Sequence, residues 1–238
     1  MHDYRFYTSI ENINGDIVSL FDSEFKHCCR VLRHKTGDKI HVFDGSGRLY
    51  LARINNICKN QVDAKILETT EPEKRTRLKI HLAVGLVKSK AMDLIIDQAT
   101  ALGIHSFYPL QTEHSIKKNF NHQRYQKKAL EAVKQSGGLF LPRIYDVMSY
   151  QEWLEKMTGI EKKLIGYQHA DTPLKAISFE PDSEIAVVIG PEGGFAVTEI
   201  EMADKAGFHS INLYAGRLRT ELAVITVLAG LQLLTGGK

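Results

Sequence analysis

The chain has 238 residues, 43% of them hydrophobic and 25% charged, a balance typical of soluble globular proteins that excludes a collagen, a fibrous coil or a largely disordered polymer. At roughly 150 residues per domain, one large or two small domains are expected. The net charge of +3 points to no partner, but its distribution is uneven. Residues 1–78 carry a net +2, residues 79–145 a net +6 and residues 146–238 a net −5. A basic middle third marks either a phosphate-facing surface or ordinary solvated helix faces.

The opening MHDYRFYTSIENING has charge where a signal peptide needs an apolar run, and it lacks the Arg/Ser-rich pattern of a transit peptide, so it reads as part of the fold. Short alternating runs follow at Tyr4–Thr8, Asp16–Leu20, Lys39–Phe43, Leu49–Ile54 and Gln61–Glu68, with turn signals at Asn14-Gly15, Gly37-Asp38 and Asp44-Gly45. They predict a small antiparallel β domain. One helix is expected over Ser23–Arg33, with Ser23 as N-cap and Phe25, Cys28, Cys29 and Leu32 at helical spacing. The charged segment Thr70–Arg77, with Pro72 and no apolar periodicity, reads as the domain boundary, dividing the chain into 1–72 and 73–238.

Strands and helices then alternate. Strands are expected at Ile80–Val87, Ser106–Leu110, Lys163–Tyr167, Glu184–Ile189 and Ser210–Leu213. Helices are expected at Lys90–Leu102, His122–Ser136, Tyr150–Met157, Val197–Ala206 and Thr220–Leu234. This order implies an α/β domain with a mostly parallel, doubly covered sheet. The most apolar stretch, Leu222–Leu234, is too short to span a bilayer, which needs about 20 residues. Cys28, Cys29 and Cys58 form no C-x-x-C pair or zinc spacing, which suits a reducing compartment. A cytoplasmic protein without membrane contact is expected, and no residue pattern asks for a metal.

Two segments can carry chemistry. In AVVIGPEGGF, residues 186–195, an apolar strand runs into Gly190, Gly193 and Gly194 around Pro191 and Glu192. Glycines at the carboxyl end of a parallel strand let backbone approach a ligand closely. The spacing matches neither G-x-G-x-x-G nor a P-loop, and a plain strand-to-helix turn is the alternative. In INLYAGRLRTELAV, residues 211–224, a loop with Arg217 and Arg219 leads into a helix at Thr220 and Glu221. Thr220 and Glu221 suit a helix N-terminus. The arginines would aim positive charge at the same crevice if the two strands are neighbours.

Together these segments resemble the SPOUT class of RNA methyltransferases, and within it the family (RsmE) that methylates uridine N3 in small-subunit ribosomal RNA. GPEGGF at 190–195 and LRTE at 218–221, with Ala223, are similar to that family's methyl-donor motifs. HCCRVLRHKTGDKI at 27–40, KSKAMDLIIDQATALGI at 88–104 and PLQTEHS at 109–115 resemble its other motifs, so the likeness runs nearly the whole length. The chain departs from the pattern at Tyr214, Gly216 and Leu222, at His114, and over Lys134–Gly138. His114 reads as a divergent surface position rather than a catalyst.

The resemblance implies a PUA-like RNA-binding β-barrel domain before a trefoil-knotted α/β methyltransferase domain, assembled as a homodimer. It implies S-adenosylmethionine held by Ile189, Gly190, Pro191, Glu192, Gly193, Leu213, Gly216, Leu218 and Thr220. Arg219 would place a cation near the negative charge developing on the base, and Glu221 would orient Arg219 or cap the helix. Arg217 would replace the family's arginine missing at Gly216. Arg5, Arg30, Arg33, His34 and Lys88 would contact phosphates of 16S ribosomal RNA or the small ribosomal subunit, with Lys117, Lys118, Lys127 and Lys128 extending that face, and the target uridine would be extruded. Two other readings remain: a catalytically silent ribosome-assembly factor, and a methyltransferase acting on another RNA atom such as a ribose 2′-hydroxyl.

Overall fold

The computed structural model describes residues 4–71, 78–116, 120–180 and 182–235. The chain divides into two compact units, Met1–Arg75 with Val133–Leu141, and Thr76–Ala132 with Pro142–Lys238. Most of the expected boundary segment, and Lys117 and Lys118, lie outside the described residues.

In the first unit, strands β1 (Arg5–Tyr7), β2 (Ile13–Asn14), β3 (Ile17–Phe21), β4 (Lys39–Phe43), β5 (Leu49–Ile57) and β6 (Gln61–Thr70) form one sheet in the order β1-β4-β5-β6-β3-β2. All pairings are antiparallel except β1 with β4, which is parallel, a departure from the all-antiparallel expectation. Alternate residues point inward: Ile40 and Val42 on β4, Tyr50, Ala52 and Ile54 on β5, Val62 and Ala64 on β6. This period of two puts one face of each strand into a single core.

The helix expected over Ser23–Arg33 is two pieces. Helix α1 spans Asp22–Lys26, and a π-helical turn continues it over His27–Val31, with the Leu32 N–H donating to the His27 carbonyl. Ser23 is not the N-cap; Phe21 is, and it offers no side-chain acceptor. The start is instead fixed by buried Glu24, whose carboxylate accepts the Tyr7 N–H at 3.1 Å and the Lys134 ammonium at 2.8 Å. Lys134, within Val133–Leu141, thus completes the first unit, as do the Leu141 N–H on the Gly45 carbonyl and the Gly47 N–H on the Leu139 carbonyl.

The second unit is built on parallel strands β7 (Lys79–Gly85), β8 (Ser106–Gln111), β9 (Arg143–Ile144), β10 (Met148–Ser149), β11 (Lys162–Gly166), β12 (Glu184–Ile189) and β13 (His209–Ile211). Their order is β10-β8-β7-β12-β11-β13, with β9 on β8. Residues Ile80–Gly85 of β7 and Ile185–Ile189 of β12 are buried without alternation, as expected of central strands covered on both faces. Helices α2 (Ser89–Ala101), α3 (His122–Ser136), α4 (Tyr150–Lys156), α5 (Val197–Lys205) and α6 (Thr220–Leu234) alternate with them. Helix α2 buries Met92, Ile95, Ile96 and Ala99, and α6 buries Val224, Val227, Leu228 and Leu231, both at helical spacing. At the amino edge of the sheet, His81 on β7 links the Ser106 hydroxyl and the Glu184 carboxylate, each at 2.6 Å.

Strand β13 is shorter than the expected Ser210–Leu213. Asn212 leaves the ladder because its N–H donates to the Thr172 carbonyl and its own carbonyl accepts the Leu174 N–H. The chain therefore turns toward the connection after β11 rather than continuing along the sheet.

Candidate active site

The chain order reverses between neighbouring β7 and β12, and in open parallel sheets the carboxyl ends near such a switch hold ligands. A cavity of about 350 Å³ opens at the carboxyl ends of β11, β12 and β13, on the β12 side of that switch and without residues of β7. Every residue expected to hold a cofactor lines it: Ile189, Gly190, Pro191, Glu192, Gly193, Leu213, Gly216, Leu218 and Thr220. Its size falls within the range of small-molecule pockets, about 300–1,000 Å³.

The glycine loop closes on itself through the Gly194 N–H, which donates to the Pro191 carbonyl at 2.9 Å. Gly194 has φ +74°, a conformation side chains disfavour. Gly193 is required for another reason, since a Cβ there would stand 2.8 Å from the Cβ of His114. The two chemical segments are tied directly. Thr220, 3% exposed, donates its hydroxyl to the Gly190 carbonyl at 3.0 Å, and Arg217 donates to the Glu192 carbonyl at 2.8 Å. Thr220 is thus not the cap of α6; that position belongs to Arg219.

Arg219 and Glu221 stand beside the cavity rather than among its lining residues. Arg219 is exposed between Leu218 and Thr220, and Glu221 lies in the first turn of α6. Tyr214, Arg217, Phe195 and Ala223 add to the wall. The Tyr214 ring comes within 3.0 Å of where a Cβ on Gly216 would be, so the departures at 214 and 216 fill and vacate the same space. Sequence reasoning missed one wall altogether, Gly166–His169 at the end of β11, together with Asn212. Asn212 donates from its amide to the Gln168 carbonyl at 3.2 Å. The one available signal was position, since that segment also follows a parallel strand.

The loop after β8 braces this site. The Ser115 hydroxyl accepts the Leu86 and Thr112 N–H groups and donates to the Leu110 carbonyl. The Glu113 N–H donates to buried Glu199 of α5 at 3.0 Å, and the other Glu199 oxygen accepts the Ala196 N–H at 2.9 Å. Tyr150 donates to the Glu199 carbonyl, and burial followed by the Glu199 charge pushes its phenol above the usual range. His114 is not an isolated surface side chain: its ring lies against Gly193 and its Nδ1 is 3.3 Å from the Gly194 carbonyl.

The residues expected to contact RNA fall in both units. Arg30 and Arg33 are exposed on and after the π turn, Arg30 with its guanidinium 5.9 Å from the Phe25 ring centre. Arg5 spends one donor on the Gly137 carbonyl at 2.5 Å. His34 places Nδ1 3.3 Å from Asp38, whose carboxyl is held below its ordinary value by the Lys35 N–H and then by His34. All four belong to the first unit, whereas exposed Lys88 is the N-cap of α2 in the second.

Comparison with known proteins agrees with this architecture. Residues 74–232 match a family described as RNA methyltransferase domain, and residues 20–67 one described as RNA methyltransferase PUA domain. The ribosomal RNA small subunit methyltransferase E of Rickettsia conorii is 32% identical over 93% of this chain and 91% of its own length. The crystal structure of a ribosomal RNA small subunit methyltransferase E from Neisseria gonorrhoeae bound to S-adenosyl methionine is 31% identical, covers 98% of both chains and has a TM-score of 0.88. A methyltransferase from Legionella pneumophila, in complex with the same cofactor, is 27% identical over 98% of both chains, TM-score 0.87. The chain has the PUA-like sheet and parallel α/β architecture of these proteins, and it belongs to the RNA methyltransferase family.

Proposed function

We propose that this protein transfers a methyl group from S-adenosylmethionine to uridine N3 in the 16S RNA of the small ribosomal subunit. The observation that carries the reading is the single cavity wall formed by the GPEGG loop and the LRTE segment, joined through Thr220 and the Gly190 carbonyl. The residues fit the cofactor. Ile189, Leu213 and Leu218 offer apolar walls, while the open backbone of Gly190–Gly193 and Gly216 offers hydrogen-bonding groups without side-chain obstruction. When bound, S-adenosylmethionine supplies an electrophilic methyl group. The chain's own contribution is positioning, worth several kcal/mol of the barrier when reacting atoms are held in line.

In this reading Arg219 sets a fixed cation against the negative charge that develops on the uracil ring, and Glu221 orients it. Arg217 holds the glycine loop through the Glu192 carbonyl. Arg5, Arg30, Arg33 and His34 of the first unit hold RNA phosphates, as do Lys88, Lys127 and Lys128 of the second, and the target base swings out of its stack to reach the cavity. The RNA-binding domain runs over residues 1–72 and takes in Val133–Leu141, and the remainder of the chain from 73 on is the methyltransferase domain. The latter is knotted, with the segment after β13 threaded under the connection between β11 and β12; the Asn212 bonds to Thr172 and Leu174 support that path.

The protein acts as a cytoplasmic homodimer. Among the described residues no helix is long and apolar enough to cross a membrane. Leu222, Leu233 (81% exposed) and Leu234 on α6, with Tyr214 (62% exposed), support a second copy covering this face.

The test is calorimetric titration with S-adenosylmethionine, NAD and ATP, followed by methylation of purified small subunits and of free 16S RNA. About one equivalent of the methyl donor per chain, and a new reverse-transcription stop at one uridine, are expected. RNA binding without donor binding would favour the silent assembly factor. A modified ribose would place the reaction on another atom.

A further inference from the structure

The reading above leaves open which group removes the proton from uracil N3, a nitrogen that cannot attack the methyl carbon until it is deprotonated. His114 is not itself among the residues lining the cavity, but it packs against two that are, Gly193 and Gly194. Its Cβ sits so close to the glycine loop that a Cβ at 193 would stand 2.8 Å from it. Its Nδ1 faces the Gly194 carbonyl at 3.3 Å. A carbonyl can only accept, so this contact is a hydrogen bond only with the proton on Nδ1. That tautomer leaves the Nε2 lone pair available, since the bond made by one ring nitrogen decides the state of the other.

The surroundings favour a proton arriving on Nε2. The Glu113 carboxylate lies 3.9 Å from it and would stabilise the imidazolium. Glu113 is in turn held by its own N–H on Glu199. The charged groups nearest to this arrangement are Glu113 in the same loop, Glu199, which accepts the Glu113 N–H, and, at the glycine loop, Glu192 and the Arg217 guanidinium bonded to its carbonyl. His114 is 44% exposed on its side chain, so a base and bulk water can both reach it.

Resting on the uridine N3 assignment, we propose that His114 is the catalytic base of the reaction. The N3–H bond breaks and its proton passes to Nε2 while Nδ1–H stays on the Gly194 carbonyl. The N3–CH3 bond then forms as the methyl carbon's bond to sulfur breaks, its electron pair remaining on sulfur. The imidazolium returns its proton to solvent.

The test uses the whole protein and two isosteric variants. In His114→Asn the amide nitrogen replaces Nδ1–H, so the loop stays braced but no base remains. In His114→Gln the amide reaches the Nε2 position and the brace is lost. The pH profile of wild-type kcat is expected to differ in shape from that of His114→Asn. His114→Asn is expected to bind S-adenosylmethionine by calorimetry as wild type does, with kcat reduced 100-fold or more, within the range of a lost general base, and rising log-linearly with hydroxide. Nitrogen NMR of the wild-type ring is expected to show the proton on Nδ1. A His114→Asn enzyme with wild-type kcat and an unchanged pH profile would overturn the proposal and leave His114 a positioning residue, as would a ring protonated on Nε2. A wild-type protein that binds the donor but methylates no uridine would instead refute the reading on which it rests.

Discussion

Thr220→Val isolates the link between the two halves of the cavity wall. Valine matches threonine in shape, so packing at this buried position is kept while the hydroxyl bond to the Gly190 carbonyl is lost. The bond itself is worth about 1 kcal/mol, and a buried carbonyl left without a donor costs about 1–3 kcal/mol. A loss of about 2 kcal/mol is therefore expected, which at about 2–4 °C per kcal/mol for a chain of this size lowers Tm by roughly 4–8 °C. The same bond holds the glycine loop against the start of α6, so donor affinity should fall by up to about tenfold, or about 1.4 kcal/mol. Thr220→Ser keeps the hydroxyl and should lose less than half as much. Urea unfolding and calorimetry with S-adenosylmethionine read both quantities. A valine variant within 0.5 kcal/mol of wild type, or a serine variant as damaged as the valine one, would refute the argument.

Gly193→Ala should weaken donor binding several-fold, because the new methyl would meet His114 Cβ at 2.8 Å. Adding His114→Gly, which removes that Cβ, should restore most of the affinity, and additive losses in the double-mutant cycle would show that the clash is not the cause. The Glu184 carboxyl is held below its ordinary value of 4.5, chiefly by its hydrogen bond with His81. A lowered folded pKa contributes stability above the unfolded value, and that stability is lost as pH falls through the folded one. Wild-type urea midpoints should thus decline below about pH 4.5 more steeply than those of Glu184→Gln; parallel curves would contradict this. Burial, then neighbouring Cys29, pushes the Cys28 thiol up to about 12. Exposed Cys58 should therefore react first with a thiol reagent at neutral pH, Cys29 next, and Cys28 only on unfolding. Mass spectrometry of the labelled peptides reads the order.

Much of the second unit was legible because the two periods differ. Uniformly apolar Ile185–Ile189 followed by glycine reads as a buried strand end, and Met92, Ile95, Ile96 and Ala99 read as one face of a helix. What escaped is set by contacts distant in sequence. The π turn at His27–Val31 gives the same apolar spacing as an α-helix over one turn, so Phe25, Cys28 and Leu32 do not tell the two apart. Asn212 ends β13 through bonds to Thr172 and Leu174 that no local pattern announces. The Gly166–His169 wall carries no motif, and it becomes visible only once β11 is placed beside β12 and β13. His114 looked like a stray substitution because its partner, Gly193, is far along the chain.

The membership of Val133–Leu141 in the first unit bears on how this protein can be taken apart and recombined. The chain passes between the units three times. A gene fragment ending after β6 would encode every strand of the first sheet but not Lys134, Gly137, Leu139 or Leu141. Glu24 would then be a buried carboxylate without its cation, and the turn at Gly45–Gly47 would have unpaired backbone groups. Domain exchange among relatives must therefore move two stretches of sequence together, and a graft of the amino-terminal stretch alone should yield a poorly soluble product.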